Sequence, residues 1–277
     1  MDLSSILYPL LSIGGMGLLF GLGLGYAGRI FYVKEDPRIG EVRDALPGAN
    51  CGGCGFAGCD AFAFAVASGN APVNGCPVGG GAVVKAMAEI MGQQAEAVIR
   101  REAYVKCAGN CDKAAYQYEY FGLDDCSAVN QLAGNGPKTC TFGCLGNGSC
   151  LKACAFDAIN IVNGIAEIDT DKCTACGRCV ATCPRRLIEI LPVEKYVRVG
   201  CNSRDSGKTV KGYCAVGCIS CKLCEKACGY DAVHVNTFLA EVDYDKCVLC
   251  GACVKKCPTD AIREVDDHGH AKEKAAV

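Results

Sequence analysis

Apolar and polar positions alternate with three different rhythms along this chain. Residues 3–28 carry no charged side chain, and these 26 residues exceed the roughly 20 an α-helix needs to span a bilayer. Tyr8 and Tyr26 stand near the ends of the run, where interfacial aromatic rings sit. Asp2 precedes it, and Arg29, Lys34 and Arg38 follow it, so the excess of positive charge predicts that the bulk of the chain is cytoplasmic. Gly17, Gly21 and Gly25 recur on one helix face, a spacing that lets another membrane helix approach closely. Beyond the run, residues 60–68 and 83–91 read as short apolar helices. The rhythm then shortens. Residues 158–162 and 165–168 flank Asn163-Gly164, a type I′ hairpin signal, and residues 232–235 and 239–242 repeat the pattern around a longer turn. From about residue 264 the chain is a polar tail containing His268 and His270, with no metal assigned to either.

Composition changes this picture in one respect. The chain has 25 cysteines and 35 glycines among 277 residues, with no tryptophan. Loop-rich modules with so little aromatic core need covalent or metal staples. A disulfide framework suits short secreted chains, whereas this one lacks the basic start and cleavage site of a signal peptide. The net charge of −2 is uninformative, and no basic stripe suggests nucleic acid. Gly23, Gly25 and Gly28 spell a dinucleotide fingerprint, but inside an uncharged apolar run rather than between a strand and an amphipathic helix. No flavin or nicotinamide site is therefore expected on this chain.

The cysteine spacings distinguish iron–sulfur clusters from zinc. Cys51, Cys54, Cys59 and Cys76 follow C-x2-C-x4-C-x16-C among glycines and complete one set of four thiolates for a [4Fe–4S] cluster. The bacterial ferredoxin run C-x2-C-x2-C-x3-C-P, whose fourth cysteine ligates the other cluster of the pair, appears twice. It comprises Cys173, Cys176, Cys179 and Cys183, then Cys247, Cys250, Cys253 and Cys257. Cys218, Cys221, Cys224 and Cys228 form a third copy lacking only the proline. Crossed pairing groups Cys218, Cys221, Cys224 and Cys257 as one ligand set, and Cys247, Cys250, Cys253 and Cys228 as its partner. In the preceding module Asn147 stands where Cys221 stands in the last. Cys140 is taken as the replacement, giving Cys140, Cys144, Cys150 and Cys183 as one set and Cys173, Cys176, Cys179 and Cys154 as the other. A repeat of about 74 residues aligns Cys126, Cys140 and Cys144 with Cys201, Cys214 and Cys218. Five cysteines remain: Cys107, Cys111, Cys126, Cys201 and Cys214. They read either as ligands of a sixth cluster, with Cys107 and Cys111 on one helix turn, or as buried free thiols.

The predicted fold class is α+β. A transmembrane anchor covers 1–28, and a small, mostly helical [4Fe–4S] module 29–92. A cysteine-containing connection covers 93–139, two tandem ferredoxin-like modules cover 140–196 and 197–263, and a flexible tail covers 264–277. Five clusters are expected, with a sixth if the spare cysteines are ligands. No residue reads as an acid, base or nucleophile.

The glycine-rich membrane helix, the Cys51-Gly-Gly-Cys54-Gly module and the polyferredoxin portion together resemble the B subunit of the Rnf complex over essentially the whole chain. The segment from Cys140 to Cys150 resembles the clostridial-type form with two ferredoxin units. The resemblance implies a component of a membrane ferredoxin:NAD⁺ oxidoreductase that couples electron flow to Na⁺ or H⁺ transport. Reduced ferredoxin would be the donor. Ion-translocating membrane subunits, flavoprotein subunits and a nicotinamide-binding subunit would be the partners. The prolines missing after Cys154 and Cys228 depart from the usual run and are expected to alter loop shape and potential without removing a ligand. Lys222, Lys226, Lys255 and Lys256 offer attraction for an acidic donor. The alternative is a membrane polyferredoxin serving a hydrogenase or dehydrogenase; a redox sensor without steady electron flux is a further rival.

Overall fold

A computed structural model describes residues 3–31, 36–95 and 98–266. Asp2, Lys34, His268 and His270 lie outside the described residues. Helix α1 (Leu3–Ile30) takes up the apolar run and is long and apolar enough to cross a membrane. From Leu10 onward its large side chains, among them Leu11, Phe20 and Leu24, lie exposed rather than packed on the rest of the chain.

Three short helices follow. Asp36 accepts from the backbone N–H of Arg38 and, with Pro37 in the first turn, starts α2 (Pro37–Ala45). The Asn50 side chain accepts from the N–H of Cys59 at 2.8 Å and caps α3 (Cys59–Ala67), which otherwise begins without a capping side chain. Helix α4 (Gly80–Met91) ends at Gly92, whose φ of 64° closes the helix in the left-handed region. Val42, Phe62, Val66 and Met87 are the fully buried centre of this module. The helices expected at 60–68 and 83–91 are thus present, the second one turn longer.

The remainder is two copies of one plan. In the first, β1 (Arg101–Val105) leads through α5 (Cys126–Val129) and α6 (Ser149–Ala153) to the hairpin β2 (Ile159–Val162) and β3 (Ile165–Ile168). Then come α7 (Arg178–Thr182) and β4 (Ile188–Pro192). In the second, β5 (Val197–Val199), α8 (Gly207–Tyr213) and α9 (Leu223–Ala227) lead to β6 (Val233–Asn236) and β7 (Leu239–Val242), then α10 (Ala252–Lys256) and β8 (Ile262–Glu264). Each copy has an inner hairpin, β2–β3 or β6–β7, and an outer antiparallel pair, β1–β4 or β5–β8. The outer strand of the first copy therefore comes from residues 101–105, within the segment read as a connection.

Both inner hairpins turn through two residues. Asn163 and Gly164 have φ of 46° and 76°, as a type I′ turn requires. The second turn is no longer than the first: Thr237 and Phe238 adopt φ of 44° and 64°, and Asn236 pairs with Leu239. The sequence conceals it because neither residue is one that favours positive φ.

The two copies are fastened through their outer strands. Arg198 of β5 and Glu102 of β1 form an ion pair at 2.5 Å with both side chains at most 2% exposed. The guanidinium also donates to the carbonyls of Lys195 and Pro192 and lies 5.0 Å from the Tyr104 ring centre. Backbone bonds from Ala108 to Gly200, from Ala115 to Tyr213 and from Ala215 to Lys113 complete the junction.

Candidate iron–sulfur sites

Each cysteine run is a repeated backbone device. Ala175, Ser220 and Leu249, immediately before Cys176, Cys221 and Cys250, all have φ between 55° and 61°. Gly146 shares the left-handed region immediately before Asn147, so Asn147 stands where Cys176, Cys221 and Cys250 stand in the other runs. Gly177, Lys222, Gly251 and Gly148 are left-handed in turn and start the short helices that carry Cys179, Cys224, Cys253 and Cys150. Three residues after the last cysteine of each run, Asp157, Arg186, Asp231 and Asp260 have φ of 50° to 55°. The N–H groups of Ala158, Leu187 and Ala232 then donate to the sulfurs of Cys154, Cys183 and Cys228 at 3.4 to 3.5 Å. The turn is the same with Pro184 after Cys183 as with Ala155 or Gly229 in its place, so the missing prolines leave loop shape unchanged.

Five cavities of about 300 to 370 Å³ each present four cysteines. Cys218, Cys221, Cys224 and Cys257 line one. Cys228, Cys247, Cys250 and Cys253 line a second, and Cys154, Cys173, Cys176 and Cys179 a third. The fourth, about 370 Å³, is lined by Cys144, Cys150 and Cys183 with Cys126, and Cys140 is not part of it. The fifth, about 350 Å³, is lined by Cys140 together with Cys107, Cys201 and Cys214. The four cysteines of the helical module gather separately. Cys51 and Cys54 face the buried Cys76, and Cys59 packs on the same core.

Two local contacts explain why Cys126 and Cys140 exchange the places expected of them. The Ser149 hydroxyl donates to Asp125 at 2.7 Å and accepts the N–H of Cys126 at 2.7 Å, stapling α5 to α6 so that Cys126 faces Cys150. The loop from Cys140 to Cys144 is gripped on its carbonyls: Arg185 donates to those of Cys140 and Gly143, and Lys138 to that of Cys144. Cys140 then turns away to pack with Val210 and Tyr213 of the second copy.

The fifth cavity bridges the copies with two cysteines from each. The N–H of Cys144 donates to the sulfur of Cys107, and that of Cys218 to the sulfur of Cys201, both at 3.3 Å. Cys107, two residues beyond β1, is thus the counterpart of Cys201, two residues beyond β5; Cys126 is not. Cys107 and Cys111 share no helix turn. Cys111 lines none of these cavities; it is exposed, with its sulfur 3.4 Å from the Tyr116 hydroxyl.

The donor set fits iron–sulfur clusters. Among the described residues no three His, Cys, Asp or Glu side chains converge on a single-ion site. The cysteines instead ring cavities, as a cube with one thiolate per iron requires and a single tetrahedral zinc does not. Burial pushes the thiols of Cys150, Cys179 and Cys201 up to about 12 and those of Cys144, Cys224 and Cys253 up to about 11. Free, these sulfurs are neutral; binding iron converts them to thiolates and releases protons.

Successive sites touch. A Cβ on Gly53 would lie 2.7 Å from the carbonyl oxygen of Cys176, so the helical module meets the first copy at its cysteines. Within each copy the fourth cysteine of a run lines the cavity next to that of the cysteines before it, as Cys183 does beside Cys179. The bridging cavity then joins the copies.

Family models match in the same places. One described as "Putative Fe-S cluster" covers residues 46–78. Three described as 4Fe-4S binding domains cover 165–188, 217–231 and 240–263. The chain is 45% identical, over 96% of its length and 80% of the relative's, to the B subunit of the Na⁺-translocating ferredoxin:NAD⁺ oxidoreductase complex of Acetobacterium woodii. It is 42% identical to the B subunit of the ion-translocating oxidoreductase complex of Methanosarcina acetivorans, over 94% of this chain and 99% of that one. It is 43% identical to the B subunit of the proton-translocating ferredoxin:NAD⁺ oxidoreductase complex of Clostridium ljungdahlii, over 90% and 89%.

Proposed function

We propose that this chain, which belongs to the family of B subunits of ion-translocating oxidoreductase (Rnf) complexes, takes electrons from reduced ferredoxin and relays them through six [4Fe–4S] clusters. The observation that carries the reading is the set of five similar cavities, each with four cysteines, adjoining one another between the helical module and the far end of the chain. The bound clusters would supply one-electron chemistry. The chain's own part is to hold them in sequence, exclude water and set their potentials through N–H···S bonds and burial.

From the exit back to the entry, the ligand sets begin with Cys51, Cys54, Cys59 and Cys76. Next come Cys154, Cys173, Cys176 and Cys179, then Cys126, Cys144, Cys150 and Cys183. The bridging set of Cys107, Cys140, Cys201 and Cys214 follows. Last are Cys218, Cys221, Cys224 and Cys257, and Cys228, Cys247, Cys250 and Cys253. The last two sets, in the second of two tandem ferredoxin-like modules, form the entry end. Cys221 and Cys250 are exposed there, and Lys222, Lys226, Lys255 and Lys256 present positive charge to an acidic donor. The helical module, next to α1, is the exit toward membrane and flavoprotein partners. Arg29 and Arg38 support a single-pass anchor with the bulk of the chain cytoplasmic.

The test is anaerobic stopped-flow mixing of the full iron-loaded chain with reduced ferredoxin. Bleaching of the iron–sulfur absorbance within milliseconds to seconds, slowed by salt and by Lys255→Glu with Lys256→Glu, is expected. Absence of reduction by ferredoxin would overturn the reading.

A further inference from the structure

Lys138 is an ammonium buried between two thiol sites. Its side chain lies in a residue only 1% exposed. It donates to the carbonyls of Gly109 at 2.8 Å and Cys144 at 2.7 Å and lies 5.5 Å from the Tyr116 ring centre. Among the described residues no carboxylate lies within ion-pair distance of it. A charge held out of water in this way is costly unless something opposite compensates it.

What faces Lys138 is sulfur. It lines the bridging cavity with Cys107, Cys140, Cys201 and Cys214, and its second carbonyl partner is the backbone of Cys144 in the adjoining cavity. Its positive charge acts on both Cys144 and Cys214. The second copy has no such cation, because residue 212, the counterpart of Lys138 in the 74-residue repeat, is glycine. The asymmetry places a buried ammonium on the first copy's side of the bridging cavity, where the Arg185 guanidinium also holds the Cys140 loop.

We propose that Lys138 sets the reduction potential of the bridging site, holding it above the value its four sulfurs would otherwise give and making it a resting place for the electron between the two copies. This rests on the reading that Cys107, Cys140, Cys201 and Cys214 ligate a cluster. The step is one electron gained by the bridging site and one lost by its neighbour, with no bond made or broken and no proton moved. The fixed ammonium favours the more negative, reduced form.

An anaerobic redox titration of the full chain, followed by electron paramagnetic resonance, tests this. Cys201→Ala first identifies the bridging component as the signal it removes. In Lys138→Met that component is expected to have a reduction equilibrium constant about tenfold lower, equivalent to about 59 mV for one electron. The component of the adjoining site that contains Cys144 should shift in the same direction but less, the other components and the iron content should stay unchanged, and Lys138→Arg should restore the wild-type value. If Lys138→Met loses iron, Lys138→Gln, which keeps a donor without the charge, makes the same comparison. An unmoved potential, or loss of iron from both neutral variants, assigns Lys138 to structure alone and overturns the proposal. If Cys201→Ala removes no component, the bridging-site reading itself falls, and this inference with it.

Discussion

Gly53 lies against Cys176: a Cβ there would come within 2.7 Å of the Cys176 carbonyl oxygen and 3.0 Å of the Pro77 ring. Neither neighbour can give way easily, since one is backbone and the other is a proline beside a buried cysteine. Gly53→Val is therefore expected to push the helical module off the first copy. The prediction is full iron loading in both parts but slowed electron exchange between them, read by freeze-quenched spectroscopy after partial reduction. Unchanged exchange would remove this contact from the relay.

The Arg198–Glu102 pair joins the two copies with both side chains buried. Burial pushes the Glu102 carboxyl up while Arg198 pulls it back down. Removing one partner leaves an unpaired buried charge, so Arg198→Met is expected to destabilise the chain by about 3–5 kcal/mol. Replacing both residues by methionine should recover much of that loss. Anaerobic denaturant titrations of the single and double variants provide the measurement.

The exchange of Cys126 and Cys140 is open to a counting test. Cys126→Ala and Cys150→Ala should each lose about four irons, and the double variant no more, because both belong to one set. Combining Cys140→Ala with Cys150→Ala should lose about eight, because they belong to different sets. A loss of only about four from the second pair would restore Cys140 to the set of Cys150.

Cys111 supplies a control. Exposed and outside the cavities, it should be the one cysteine alkylated by iodoacetamide in the fully loaded chain, with Cys111→Ser retaining all the iron. Mass spectrometry of the labelled peptides shows which thiols react.

Much of this was legible in the sequence where spacing is local. The cysteine runs, α3 and α4 and the Asn163-Gly164 hairpin each lie within a short window. The outer strands were not, because Arg101 pairs with Pro192 and Val197 with Glu264, across stretches that hold other elements. The Cys140 assignment rested on its closeness to Cys144, yet the grip of Lys138 and Arg185 turns the two thiols into different cavities. A signal was nevertheless present. Cys214 is surplus beside the complete set at Cys218, and the 74-residue repeat makes Cys140 its counterpart. Cys126 carried none, since its partner Ser149 is an ordinary helix-start residue whose contact appears only on folding.

Iron and acid-labile sulfide content of the anaerobically purified full chain tests the central claim most directly. Six clusters predict about 24 irons and about 24 sulfides per chain, without zinc. About 20 of each would contradict the bridging site, and zinc with little sulfide would contradict the relay altogether.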